Sequence, residues 1–320
     1  MPIKFTQPFT RMPVRFNPEA LVAEVKALPK EAWVPHPDGF AGNDAVRLIS
    51  PDGAATDAST GNMKPTPYLE ACPFIQELMR WIGSVWGRSR LMGLAAGSEV
   101  PLHIDSQYYW RTHIRIHVPV ITNPAVLFTC AGETVHMAPG ECWTFDSFMP
   151  HDVQNKGSEH RVHLVIDTVG GGRLYDLIEA GTARPDAEPV EFNPGDGDGA
   201  PLRLEQVNSP VIMSPWEIAS HIAMLREQAV PNPLLGAVIA KLDRFLHEWG
   251  SIWAMYGTDP KGIPIYRRLL QIAQQDLTNL RGGGQVSLRN GVPLYYMFER
   301  LVFENAIAGT SEPEARKMAS

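Results

Sequence analysis

Between residues 90 and 169 the chain reads as a series of short apolar or alternating runs, each closed off by Gly, Pro, Asn or Asp. The runs fall at 90–95, 100–105, 112–120, 125–130, 133–137, 141–145 and 161–169. Strands this short, joined by turn residues and not by helical crossovers, predict a sandwich or barrel and argue against βαβ units. Elements of other kinds flank this core. Residues 17–28 read as a helix, with Asn17 as N-cap, Pro18 in the first turn, and Leu21, Val22, Val25 and Leu28 on one face. A second helix is predicted over 73–86. A short strand at 45–49 lies among the turn formers of 35–67, such as His36-Pro37-Asp38-Gly39. From residue 214 the pattern is helical. Ser214-Pro215-Trp216-Glu217 reads as a capping box, Asn232-Pro233 opens a helix running to about Tyr256, and helices over 264–280 and 293–308 follow.

Composition narrows the function. The net charge is −7 and Lys and Arg never run beyond two in a row, which argues against a nucleic-acid partner. The longest apolar run falls far short of the roughly 18 residues of a membrane helix, so no membrane association is expected. Residues 1–16 lack the continuous apolar segment of a secretory signal. The 3 cysteines contain no CxxC pair, giving neither a disulfide framework nor a zinc finger. Together these predict a cytoplasmic protein. Residues 181–213, rich in proline and carrying Gly195-Asp196-Gly197-Asp198-Gly199, read as a linker. Asp196 and Asp198 do not make a calcium loop, because Ala200, Pro201 and Val207 occupy ligand and turn positions. Gly282-Gly283-Gly284 follows a helix and lacks the ending of a phosphate loop, so it reads as a helix cap and turn.

Of the 10 histidines, His103, His113, His117, His136, His151, His160 and His163 crowd into the β region. His103 and Asp105 are two apart and share a strand face. With His151, read as sitting at a turn, they form two imidazoles and a carboxylate, the ligand set of non-haem Fe(II) oxygenases. Such a set leaves coordination positions for 2-oxoglutarate and O2. Arg161 follows His151 by ten residues and offers a two-pronged clamp for the distal carboxylate of that co-substrate. The run 112–120 puts His113, Arg115 and His117 on one face and Ile114, Ile116, Val118 and Val120 on the other. That face suits a cavity for anions, with His117 on the co-substrate side and Arg115 and His113 on the substrate side. Arg115 is read as a cation left free for a second carboxylate. His36, His136, His160, His221 and His247 read as structural or surface residues.

These residues also carry a resemblance. Val100-Pro101-Leu102-His103-Ile104-Asp105, Ile114-Arg115-Ile116-His117-Val118, Val135-His136-Met137, Gly140-Glu141-Cys142-Trp143, Phe145-Asp146, Met149-Pro150-His151 and Arg161-Val162-His163-Leu164-Val165-Ile166-Asp167 resemble, in order, the aspartyl/asparaginyl β-hydroxylase family of 2-oxoglutarate-dependent oxygenases. The likeness is nearest the L-proline cis-4-hydroxylase branch. It implies a double-stranded β-helix (jelly-roll) core, His103, Asp105 and His151 as iron ligands, and Arg161 as the 2-oxoglutarate clamp. It also implies that Arg115 and His117 line the pocket.

The expectation is therefore a mainly β jelly-roll domain over 1–180, a linker over 181–213, an α-helical region over 214–310 and a tail over 311–320. The expected activity is Fe(II)- and 2-oxoglutarate-dependent hydroxylation, with O2, of an amino acid, an amino-acid derivative or a peptidyl residue. A zinc hydrolase on the same triad and a non-catalytic cupin-like binding protein are the alternatives. A homo-oligomer is compatible with this reading.

Overall fold

The computed structural model describes residues 5–36, 39–195 and 199–308. The proposed tail and the Asp196-Gly197-Asp198 run lie outside the described residues, as do Pro37 and Asp38 of the first turn. Two compact units are present. One comprises the chain up to Asp105 and Tyr109–Asn208; the other comprises Ser106–Tyr108 and the chain from Ser209 onward. Among the described residues no helix is long and apolar enough to cross a membrane.

The first unit holds the strands β1 (Phe9–Arg15), β2 (Val34–Pro35), β3 (Asn43–Pro51), β4 (Met63–Pro65), β5 (Val85–Leu94), β6 (Glu99–His103), β7 (Ile114–Ile121), β8 (Val126–Cys130), β9 (Glu133–Val135), β10 (Glu141–Phe145), β11 (His151–Asn155), β12 (Arg161–Gly170), β13 (Val190–Glu191) and β14 (Arg203–Leu204). They form a 10-stranded sheet of order β13-β1-β10-β7-β12-β5-β3-β2, with β4 added on β3 and β14 on β5, and a 4-stranded sheet of order β6-β11-β8-β9. This is the expected mainly β jelly roll.

Period-two alternation gives the large sheet two unlike faces. Ile114, Ile116, Val118 and Val120 of β7 and Val162, Leu164 and Ile166 of β12 point outward. There they pack in one core with Leu21 and Val25 of α1 (Pro18–Ala27) and with Ile75, Leu78 and Ile82 of α3 (Pro73–Ile82). Between these two helices lies the one-turn α2 (Pro67–Glu70). On the inward face, Phe9, Leu94 and Phe145 meet Val126, Phe128, Cys130 and Val153 of the small sheet. That second core shows the two sheets packed face to face. Asn17 caps α1 as anticipated, its side chain accepting from Glu19 and Ala20 N–H.

Several elements differ from expectation. The helix read over 73–86 ends at Ile82, where Gly83 takes a left-handed φ of 72°. Trp86, whose spacing mimics a helix face, is instead buried in a strand paired with β12. Phe9–Arg15, read as no element, is a strand hydrogen-bonded to β10. Met12 and Val14 face the core while polar residues alternate with them only in part, so the period-two signal is weak. Within 181–213, α4 (Leu174–Ala183) ends, β13 and β14 join the large sheet, and Glu205 is buried.

The second unit is helical: α5 (Pro215–Gln228), α6 (Leu235–Tyr256), α7 (Ile263–Thr278) and α8 (Leu294–Phe298), the last continuing as one π-helical turn, Glu299–Phe303. The stretch 293–308 is thus not one regular helix. Ser214 Oγ accepts from the Glu217 amide, forming half of the capping box. The Glu217 carboxylate accepts the Tyr108 hydroxyl instead of closing the box on Ser214. Gly282 adopts the left-handed conformation expected of a cap, φ 74°.

Leu164 has no exposed surface and sits where β12 meets the helices. Leu164→Ala should cost about 2–5 kcal/mol, read as a lower urea midpoint at unchanged m-value. A loss below about 1 kcal/mol would place Leu164 outside the core.

Candidate active site

His103 closes β6, and its Cα partner across the small sheet is His151 of β11. His151 is therefore on a strand, not at a turn: Pro150 ends the preceding loop and His151–Asn155 pairs with both β6 and β8. Directly opposed residues on an antiparallel pair bring their side chains together, and the two imidazole centroids lie 4.2 Å apart. Asp105 follows two residues after His103, its amide donating to the Ser147 carbonyl at 3.0 Å. Ligand atoms of His103, Asp105 and His151 all fall within 4.8 Å of one another, a group that can hold a metal ion.

The hydrogen bonds prepare these donors. His103 Nδ1 lies 2.8 Å from the Pro101 carbonyl and His151 Nδ1 2.9 Å from that of Met149. A carbonyl only accepts, so each Nδ1 donates and each Nε2 is the nitrogen left for a ligand. Burial pushes the His151 pKa down to about 4, against the opposing pull of Asp105, so the ring is neutral at pH 7. Asp105 Oδ2 is buried and accepts no hydrogen bond; its nearest cation is Arg115 Nη1 at 3.8 Å. A buried carboxylate oxygen with no donor beside two bare imidazole nitrogens fits a divalent cation.

Arg161 lies on the first residue of β12, 4 % exposed, with Nε and one terminal nitrogen buried and without hydrogen-bond partners. Burial lowers its pKa to about 9, which leaves it a cation at neutral pH. Beside it His117 and His163 face each other, Nδ1 to Nδ1, at 3.4 Å. Both rings are held well below the usual histidine range, first by burial and then by the Arg161 charge. A buried cation next to two neutral imidazoles is a place for an anion.

Two residues assigned to the substrate side are otherwise occupied. Arg115 is not a free cation. Its Nε donates to Asp167 at 3.0 Å, a terminal nitrogen reaches the same carboxylate at 3.4 Å, and the guanidinium lies 4.2 Å from the Trp110 ring centroid. His113 stacks on Tyr109 at 3.5 Å, contacts the Tyr109 carbonyl through Nδ1, and pairs through Nε2 with Glu205 at 3.0 Å. The expectation lacked both partners because Asp167 lies 52 residues from Arg115, and Glu205 lies 92 from His113.

Other members of the inward face went unread. Asp167 continues the alternation of Arg161 and His163, so the strand pattern could have found it. Arg88 and Arg90 of β5 and Asp57 in the loop before β4 give no local signal. Arg88 Nε lies 3.7 Å from Asp167, and Asp57 receives Arg47 Nε at 3.1 Å. A chain of alternating charge thus runs from Asp105 through Arg115 and Asp167 to Arg88.

Residues 58–170 match the family model of aspartyl/asparaginyl β-hydroxylases, as the motif resemblance anticipated. The L-proline cis-4-hydroxylase of Rhizobium meliloti is 27 % identical over 104 residues, which is 32 % of this chain and 37 % of that protein. The chain thus spans little more than a third of that relative's length. Among solved structures, a Pseudomonas putida prolyl-4-hydroxylase is similar with TM-score 0.36 and 15 % identity, over 52 % of this chain and 95 % of that one. A Burkholderia pseudomallei oxidoreductase of the 2OG-Fe(II) oxygenase family gives TM-score 0.35 and 12 % identity, over 47 % and 79 %.

His117 and His163 set an acid limit on stability. Folded, both stay neutral far below the ~6.5 of an unfolded histidine. As pH falls through about 6.5 the unfolded chain gains these protons and the folded chain does not, so unfolding free energy declines. The urea midpoint should drop between about pH 7 and pH 5, and less steeply in a His117→Gln/His163→Gln variant. Equal slopes for the two proteins would mean that these rings titrate normally in the fold.

Proposed function

We propose that this chain is an Fe(II)- and 2-oxoglutarate-dependent dioxygenase that hydroxylates an unactivated C–H bond of an amino-acid-like substrate. The observation that carries this reading is the convergence of His103, Asp105 and His151 with a buried, donor-free Asp105 oxygen. His103, Asp105 and His151 would hold iron(II) with three protein donors, a ligand set that accommodates small molecules as well. When bound, iron(II) with 2-oxoglutarate and O2 supplies the oxidising power, the co-substrate leaving as succinate and CO2 while one oxygen atom enters the substrate.

The chain's own residues bind, orient and exclude water. His103 and His151 are oriented by carbonyls two residues before each, Pro101 on the same strand and Met149 in the loop before β11, which fixes ring direction. Arg115 holds Asp105 from behind at 3.8 Å and is itself oriented by Asp167. Arg161 is the fork for the distal carboxylate of 2-oxoglutarate, and His117 and His163 are the adjoining polar wall. Phe145 packs 4.9 Å from the His151 ring and Phe128 lies 4.8 Å from Phe145, so one flank of the candidate site is aromatic and apolar. The amino-acid character of the substrate rests on the proline hydroxylase among the relatives.

An anaerobic titration with Fe(II) and 2-oxoglutarate tests the reading. A visible metal-to-ligand charge-transfer band should appear in the wild type and be absent in His103→Ala and His151→Ala, both of which should remain folded. No band in the wild type would remove the proposal. Arg161→Ala truncates one partner of a buried charge pair, a loss of about 2–5 kcal/mol. The apparent 2-oxoglutarate constant should rise roughly thirty-fold or more. Arg161→Lys should recover part of this, since a point charge does not reproduce the fork. An unchanged constant in Arg161→Ala would move the clamp to another residue.

A further inference from the structure

Residues 203–208, whose composition reads as part of a linker, are sewn into the large sheet. Arg203 and Leu204 form β14 beside Val85 and Trp86 of β5. The Glu205 amide donates to the Trp86 carbonyl at 2.9 Å, and the Glu205 carbonyl accepts from Met63 N–H at 2.9 Å. Asn208 Nδ2 donates to the Ser59 carbonyl and to Glu205 Oε2, both at 3.0 Å, and Asn208 Oδ1 accepts from Gly61 N–H at 2.9 Å. These bonds hold the Glu205 carboxylate inside the protein, 4 % exposed. A mere linker has no need of a buried acid, and burying one is unfavourable unless a partner meets it.

The partner is His113. Glu205 Oε2 lies 3.0 Å from His113 Nε2, with both side chains buried. The other ring nitrogen, Nδ1, is 2.7 Å from the Tyr109 carbonyl, and the imidazole stacks on the Tyr109 ring with centroids 3.5 Å apart. The Tyr109 hydroxyl accepts from Arg88 N–H at 3.2 Å. Packing at this junction leaves no slack: a Cβ on Gly87 would lie 2.7 Å from the Tyr109 hydroxyl, 3.1 Å from His113 Cδ2 and 3.2 Å from Glu205 Oε2. Tyr109 and Trp110 share one short 3-10 turn, Tyr108–Arg111. The Arg115 guanidinium lies 4.2 Å from the Trp110 ring centroid, and its Nη1 is 3.8 Å from Asp105 Oδ2. Contact is therefore continuous from Glu205 through His113, Tyr109, Trp110 and Arg115 to a candidate metal ligand.

We propose that Glu205 is a positioning residue of the candidate metal site, acting through His113 and the Tyr109–Trp110 turn to hold Arg115 behind Asp105. The proposal rests on the metal-site reading above. It gives His113, whose ring nitrogens both face protein acceptors, a supporting task in place of a substrate contact. Arg115 is a long side chain with many rotamers. Asp167 grips its Nε and one terminal nitrogen, and the Trp110 face limits how far the rest of the fork can swing. A carboxylate serves a metal only if its oxygen points the right way, so the groups behind it tune affinity without touching the ion. Removing the Glu205 carboxylate leaves His113 Nε2 buried without its acceptor. The ring and the turn are then free to shift, and Trp110 shifts with them.

The probe is manganese(II) added to the full chain, its binding read from the paramagnetic resonance signal of the free ion, with no turnover required. Glu205→Ala should raise the manganese(II) dissociation constant about tenfold, the scale of losing an outer partner of a metal ligand. Glu205→Gln keeps an acceptor oxygen for the imidazole. It should recover part of that loss, and it serves as the second variant should Glu205→Ala not fold. Trp110→Leu should weaken binding by a similar factor. Combined with Glu205→Ala it should add less than about threefold, whereas independent effects would multiply to about a hundredfold. All constants are taken where circular dichroism shows the variants folded. A purely structural Glu205 would lower the urea midpoint of Glu205→Ala and leave its manganese(II) constant unchanged, and that result overturns the assignment. So does a double variant whose losses multiply. If the wild type binds no manganese(II), the metal-site reading fails first and this assignment falls with it.

Discussion

The site depends on strand register. In the small sheet His103 stands opposite His151, and in the large sheet Arg115 stands opposite Asp167. A slip of one residue in either ladder would turn every one of these side chains to the other face. The apolar outward faces of β7 and β12 prevent that slip, because moving them would expose Ile114, Ile116, Leu164 and Ile166 to the polar interior and push arginines into the helix-facing core. The same burial that stabilises the sheet therefore positions the ionic face.

The interior between the sheets is divided. One part is apolar and aromatic, built from Phe9, Phe128, Phe145 and Val153. The other holds Arg88, Arg90, Arg115, Arg161, His117, His163 and Asp167. Burying so many ionisable groups is unfavourable unless each finds a partner. Arg115 and Asp167 satisfy each other, and His113 is satisfied by Glu205. Asp105 Oδ2, Arg88 Nε, His117 Nε2, His163 Nε2 and two nitrogens of Arg161 are left without hydrogen-bond partners; in the proposed function Asp105 serves a cation and Arg161 the co-substrate carboxylate. Incomplete pairing at Asp105 and Arg161 is the physical observation on which the proposed function stands.

The two histidine ligand candidates contrast with two occupied residues, His113 just before β7 and Arg115 on it. All four lie in the same β region, and each is polar at an inward or strand-end position. His103 and His151 use the carbonyls two residues before each for Nδ1, which leaves Nε2 without a protein partner there. His113 and Arg115 spend their donors on distant carboxylates. A polar residue on the right face is thus necessary for a binding role, and its remaining hydrogen-bonding capacity decides whether it has one.

Much of this was legible in the residues themselves. The alternation over 112–120 and 161–169 follows from the two-residue period of a strand, and the HxD spacing puts His103 and Asp105 on one side without any tertiary information. Asn17 and Ser214 declare helix starts because capping is local chemistry. Other features were hidden because their causes are distant in sequence. The strand beginning at His151 carries Asp152 and Gln154 beside a proline, and only its pairing with β6 and β8 makes it extended. The helix ending at Gly83 and the strand containing Trp86 share one apolar spacing, and the sheet decides between them. Which arginine is spent and which is free depends on Asp57, Asp105 and Asp167, contributed by separate segments. Local periodicity can say which face a side chain takes; only the fold can say what it meets there, because charge compensation acts through space and not along the chain.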